Sequence, residues 1–267
     1  MKKDTNFSEK LTLDLSDEKT LSVSDESYQI SNKKFVDLLC HGKNYENLTF
    51  KNCEIIDSTF KGSFLSGWKM ENCKLFNCNF EDTEMNDAYF SNCQFYDVER
   101  NLGCSFKLAR IKRSEFQGCN LSLNNFERSE AFQIVINDCR AQGCVFKSTD
   151  FTNIVSRSFI FSSAQLTNSD FRYSDFSNVY LKKCDLSESR FVATIFSRAN
   201  LEEAILNNSE FSPEVYDGLI LNNADFRNAD IRNVDVRSLD LSGIKIQDWQ
   251  QSFFMENLGI IVFPDSN

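Results

Sequence analysis

Between Tyr45 and Phe95 the chain reads YENLTFKNCEIIDSTFKGSFLSGWKMENCKLFNCNFEDTEMNDAYFSNCQF. Every fifth residue of it is large and apolar: Tyr45, Phe50, Ile55, Phe60, Leu65, Met70, Leu75, Phe80, Met85, Phe90 and Phe95. Two places before each of these centres the side chain is usually small, as at Cys53, Ser58, Ser63, Cys73 and Ala88, and the other three places are mostly polar. Neither the helical period of 3.6 nor the strand period of 2 fits a spacing held this long. A short fixed repeat means a solenoid: one unit cannot bury its own apolar side chain, but a stack of units buries a continuous core.

The period breaks at residues 96–103 and resumes one register later at Phe106, running to Phe146 and Phe151. It breaks again at residues 152–163 and resumes at Leu166, continuing to Ile246. If both interruptions are loops inserted between adjacent faces, one face stacks Phe60, Phe80, Phe106, Phe126, Phe146, Phe176, Phe196, Tyr216 and Val236. Treating residues 152–163 as two ordinary repeats would instead put Ser156 in the core. The aromatic column favours two loops leaving a shaft that spans residues 45–246.

The rest of the composition narrows the function. The 267 residues can bury a sizeable core, and 39 Asp+Glu against 29 Lys+Arg leave a net charge of −10, which disfavours direct binding to nucleic acid. A mean hydropathy of −0.38 and the lack of any apolar run near 18 residues argue against a membrane span. No apolar leader follows Met1, so the expected location is cytoplasmic. His41 is the single histidine, which excludes a His-His metal pair, and no nucleophile elbow, P-loop, HExxH or dinucleotide fingerprint occurs. An enzyme is therefore not expected, nor a cofactor. Nine of the ten cysteines, Cys53 to Cys184, occupy the small slot two before a centre, where Ser, Ala or Thr stands elsewhere. No CxxC occurs, so these read as reduced packing residues and not as metal ligands.

Residues 1–44 show only a weak register and read either as a cap over the open end of the shaft or as a tail. Residues 247–267 hold a short amphipathic helix from Asp248 to a Gly259 stop, then Ile260-Ile261-Val262-Phe263. Trp249, Phe253, Phe254, Met255 and Leu258 exceed what sealing one coil needs, and the surplus points to a homodimer joined at this end. Charge is uneven along the rod. Residues 45–100 carry 10 acidic and 5 basic side chains, residues 101–200 carry 9 and 13, and residues 201–267 carry 12 and 4. Asp225, Asp230, Asp235 and Asp240 are candidates for an acidic face, although an Asp just before a centre can equally serve a turn.

The unit, as in Ala199-Asn200-Leu201-Glu202-Glu203 and Ala224-Asp225-Phe226-Arg227-Asn228, resembles that of the pentapeptide-repeat proteins. That resemblance implies an all-β fold, a right-handed quadrilateral parallel β-helix with one unit per face. More specifically, three segments resemble the quinolone-resistance (Qnr) family: Cys93-Gln94-Phe95-Tyr96-Asp97 with the loop to Phe106, then Asp138-Cys139-Arg140-Ala141-Gln142-Gly143, and finally Phe253 to Ile260. The family resemblance implies a rod-shaped dimer that partly mimics duplex DNA, binds bacterial type II topoisomerases (DNA gyrase, topoisomerase IV) and protects them from quinolones. By motif it places the topoisomerase-facing residues in loop one, at Tyr96, Asp97, Glu99 and Arg100, and in loop two, at Ile154, Ser156, Arg157, Ser158, Phe159 and Phe161. Phe159 or Phe161 could instead fold back and anchor loop two. Two departures stand out: several additional repeats precede loop one, and loop two differs in most letters. A β-helical scaffold or effector presenting the same loops to another protein partner is the alternative reading.

Overall fold

In the computed structural model, which describes residues 22–24, 27–156, 159–231, 234–261 and 263, the five-residue period becomes a parallel β-solenoid of about nine turns with one short C-terminal helix. Rungs join residues four pentapeptides apart. Ile30, Phe50, Met70 and Phe90 pair in sequence on a first face, and Phe35, Ile55 and Leu75 on a second. Single bridges such as Thr59 to Asn79 and Glu84 to Arg110 mark the third and fourth faces. Centres point inward, and their amides bond to the next coil, as when Phe126 N–H donates to the Val145 carbonyl at 2.7 Å.

Both insertions leave the ladder in register, with Phe90 paired to Phe116 across loop one and Ile136 to Leu166 across loop two. The aromatic column from Phe60 to Phe196 stacks with ring centroids 4.7 to 5.2 Å apart and planes within 14° of parallel. The rung spacing of parallel strands, about 4.8 Å, dictates that separation.

The corners explain the polar letters. Two places after most centres the chain turns through the left-handed region, at φ 54° for Asn52 and 52° for Asn72 and Asn92, where Asn, Asp and Gly are least strained. At one such corner Gly118, at φ 62°, also sits where an added Cβ would lie 2.7 Å from the Asn92 side-chain oxygen beneath it.

The shaft starts earlier than the expected boundary at residue 45. Ser27–Ser31 and Lys34–Val36 already pair with the following coil, and Ser22–Ser24 folds antiparallel onto Ser27–Ser31. Ile30, Phe35, Cys40 and Tyr45 are the centres of this first coil. The small Cys40, fully buried there, breaks the run of large apolar letters, which is why the register looked weak. Residues 1–21 lie outside the described residues.

All ten cysteines are free and buried. The slot before the second face forms a ladder: the Cys53 amide donates to Cys73 Sγ at 3.4 Å, Cys93 to Cys119 at 3.4 Å and Cys119 to Cys139 at 3.3 Å, after which Ser169 and Ser189 take over. The bond with Cys119, opposed by the one with Cys73 and assisted by burial, leaves the Cys93 thiol pushed up to about 12. Burial, opposed by the Asn124 backbone, pushes Cys144 up to about 12. Such thiols stay protonated and unreactive near neutral pH.

Candidate docking surfaces

Loop one is strapped down. The Asp97 and Leu102 backbones exchange hydrogen bonds of 2.9 and 3.2 Å, closing a tight turn. The buried Asp97 carboxylate accepts from the amides of Glu99 and Arg100 at 3.0 and 3.2 Å. Arg100 then bridges Asp97 to Asp57, which lies on the shaft toward the N-terminus, at 2.6 Å. Arg100 holds the Asp97 carboxyl below the usual range, and Asn77 together with Arg100 does the same for Asp57. The Tyr96 hydroxyl donates to Asn101 at 2.6 Å. Of the four residues expected to face a partner here, Asp97 and Arg100 are therefore engaged internally, Tyr96 is half-buried, and Glu99 remains exposed beside Val98, 73% exposed, and Leu102. Gly103 closes the loop at a point where a Cβ would strike the Leu123 carbonyl.

Loop two is a β-hairpin. Thr152–Ser156 runs antiparallel to Phe159–Ser162 with Ile154 opposite Ile160. At its root Thr152 bonds to Asp150 through its amide and hydroxyl, at 2.8 and 2.6 Å, and the Ser162 hydroxyl donates to the Lys182 carbonyl at 2.5 Å. The Phe161 ring meets the buried Phe132 ring edge-on at 5.2 Å, so Phe161 is an anchor to the shaft. Ile154 and Ile160 are 67% and 52% exposed. Ile160 was not anticipated, although Asn153-Ile154-Val155 and Phe159-Ile160-Phe161 around a polar turn carry a hairpin signal. Arg157 and Ser158 lie outside the described residues, and of Ser156 and Phe159 only the backbone is described.

The four aspartates do not form one face. Rungs of the shaft join Asp225 to Ile205 and Lys245, but Asp230 to Glu210; a step of five residues is a step to the next side, so Asp225, Asp230, Asp235 and Asp240 are distributed round the rod. Three of them serve turns, accepting the amide two residues on: Asp225 from Arg227 at 3.2 Å, Asp235 from Arg237 at 3.1 Å and Asp240 from Ser242 at 3.0 Å. Arg227 and Arg237 also form ion pairs with Asp225 and Asp235, at 2.7 and 3.1 Å, and depress their titration. Much of the central basic excess is likewise neutralised between coils, in pairs such as Arg110 with Glu84 (3.0 Å) and Lys182 with Glu202 (2.8 Å).

At the C-terminal end a 3-10 turn, Asp248–Gln250, leads into the helix Gln251–Asn257. Phe253 and Phe254 pack against the core and each other, with centroids 5.4 Å apart, and Met255 is half-buried. Trp249, 65% exposed, and Leu258 face water, joined by Ile260, Ile261 and Phe263. An open hollow of about 420 Å³ lies between Trp249, Phe253, Glu256 and Asp230. Gln250, which the sequence did not single out, is buried and satisfies both ends of its amide on the last coil.

Known proteins share this architecture. The pentapeptide-repeat family model matches residues 160–198 and 217–248 in eight copies. A trypsin-treated QnrB1, described as a plasmid-mediated fluoroquinolone resistance protein, superposes with a TM-score of 0.73 at 35% identity, covering 79% of this chain and 99% of that one. The chain belongs to the Qnr family of pentapeptide-repeat proteins. Full-length QnrB1 gives a TM-score of 0.72 at 32% identity over 87% of this chain and 100% of that one. Among Qnr sequences, the quinolone resistance pentapeptide repeat protein QnrB96 of Scandinavium goeteborgense is 36% identical over 91 residues, 34% of this chain and 42% of that protein. The pentapeptide repeat protein QnrB4 of Escherichia coli is 37% identical over a stretch of the same extent. The chain thus spans about two fifths of the length of these two relatives. Among the described residues no helix is long and apolar enough to cross a membrane.

Proposed function

We propose that this Qnr-family protein binds a bacterial type II topoisomerase, DNA gyrase or topoisomerase IV, in the cytoplasm as a homodimer and protects it from quinolones without catalysing a reaction. The observation that carries the reading is the hairpin at residues 152–162: a rigidly rooted element that leaves Ile154 and Ile160 in water, on an insertion the core does not require. Exposed apolar pairs on a fixed element are suited to the centre of a docking interface. The shaft supplies length, and the net charge of −10 supplies attraction toward a basic DNA channel. Because three of the four aspartates are engaged in turns, recognition rests on the loops, with the acidic field steering encounter. Exposed Trp249 and Leu258 are suited to the dimer contact, with half-buried Met255 beside them and Phe253 and Phe254 holding the helix to the core.

Gyrase supercoiling in the presence of ciprofloxacin, with and without the protein, tests the reading. Rescue is expected from the natural sequence and is expected to fall roughly 10-fold or more in potency when Ser156 to Ser158 are replaced by a short Gly linker. Lack of rescue by the natural sequence, with both topoisomerases, would refute the function; full rescue by the linker variant would remove loop two from it.

A further inference from the structure

The second face of the N-terminal coils differs from its neighbours. In the outward place after each centre it carries Val36, Ile56, Phe76 and Tyr96 in four successive coils, where the first face has Ser31, Lys51, Glu71 and Ser91. Val36, Ile56 and Phe76 are paired rungs, and the bridge from Lys74 to Gln94 sets Tyr96 one coil further on. With rungs about 4.8 Å apart the four make a stripe roughly 15 Å long. Val36 is 42% exposed and the other three are half-buried. The core does not need them, since Phe35, Ile55, Leu75 and Phe95 supply the inward side chains of the same strands. The stripe reaches loop one at Tyr96, and in the same loop Val98 and Leu102 are exposed.

Its two borders differ in charge. Lys34 and Lys74 on one side both pair with Glu54, at 3.3 and 2.8 Å. On the other side the corner carries Asp37, Asp57, Asn77 and Asp97 in turn, with Asn77 donating to Asp57 at 2.8 Å and Arg100 shared between Asp57 and Asp97. That border is left with an acidic excess, to which exposed Glu99 adds.

We propose that this stripe is a second contact surface for the topoisomerase that loop one faces, taking an apolar ridge bordered by lysine or arginine side chains. The inference rests on the topoisomerase reading above and extends it to the coils before loop one. Continuity with the loop makes the occupant the same partner, and the acidic border makes the matching surface basic. Apolar stripes of this kind, bordered by charge, mark protein contact surfaces.

The test uses the full chain and purified gyrase and topoisomerase IV. A double variant, Ile56→Ser with Phe76→Ser, takes the residue type that neighbouring faces carry at this place, and its thermal midpoint and mass by light scattering are checked against the natural sequence. The expected result is unchanged folding and mass with Kd for the enzyme raised roughly 10-fold, from the apolar area lost. The milder V36T variant is expected to move Kd in the same direction and serves if the double variant misfolds. The loop-two linker variant is measured alongside. If the natural sequence binds neither enzyme, the topoisomerase reading fails. If it binds, the linker variant weakens it and the stripe variants bind as tightly as the natural sequence, the stripe inference alone is overturned. A drop in mass with the stripe variants would also overturn it, by making the stripe a self-association surface.

Discussion

Gln250 does at the end of the shaft what a following coil does everywhere else. Its Nε2 donates to the carbonyls of Phe226 and Ala229, both at 2.9 Å, while its Oε1 accepts from the amides of Gln247 and Asn228 at 2.6 and 3.2 Å. A single side chain thereby takes up the Ala229 carbonyl and the Asn228 amide, and adds a second bond to the Phe226 carbonyl, which already accepts the Ala229 amide at 3.0 Å. Gln250→Leu keeps the volume and removes every one of these bonds, and is expected to lower stability by about 2–4 kcal/mol, read as a shifted urea midpoint. Arg100 supplies a second residue-level expectation. Asp57 and Asp97 titrate below the usual range when folded, so the folded chain binds fewer protons than the unfolded one. Their contribution is fully present above the unfolded Asp value, about 4, and is lost as pH falls through the lower folded values. The gap in melting temperature between the natural sequence and Arg100→Gln is therefore expected to be open at pH 6 and to narrow progressively as the pH falls below about 4. A gap that persists in acid would mean that Arg100 acts through packing.

At the scale of elements, the hairpin separates into an anchor and a display. Phe161 is the anchor, through Phe132, and Ile154 with Ile160 is the display. Phe161→Ala is expected to raise amide exchange in residues 152–162 by roughly 10-fold or more while exchange in the shaft stays unchanged, because the anchor belongs to the hairpin and the inward column of the shaft is left intact. How far these elements could be read from the letters depends on whether a side chain points in or out. The inward column from Phe60 to Phe196 was legible, loops included, because only a large apolar residue fills each place. The first coil was not, since Cys40 fills a centre with a small side chain. Nor were the roles of Asp97 and Arg100: a charged pair in a loop reads the same whether it meets a partner or, as here, reaches back to Asp57. Phe161 was readable only as one of two outcomes, and the buried Phe132 decides between them.

Across the whole molecule, the five-residue step that made the core readable misled the reading of charge. A step of five turns the chain by one side, so aspartates spaced like Asp225, Asp230, Asp235 and Asp240 surround the rod instead of lining it, and a continuous acidic column requires a step of one full coil. The apolar end makes a separate expectation. Trp249 and Leu258 remain in water on a single chain, so Trp249→Ser combined with Leu258→Ser is expected to leave folding intact and to shift the light-scattering mass from dimer to monomer at micromolar protein. A dimer that survives both changes would place the contact elsewhere.

The unbroken stacking of Phe80 on Phe106 and of Phe146 on Phe176 has a consequence for inheritance and design. Each insertion leaves and re-enters at a corner, and the coils on either side set the register without reference to what lies between. Loop length and spelling can then drift, or be exchanged for a foreign segment, at little cost to the fold, so long as the root contacts are respected. The molecule is in this sense a ruler with two interchangeable markers: a dozen letters in either loop can be rewritten while the stacked phenylalanines keep the distance between the markers constant.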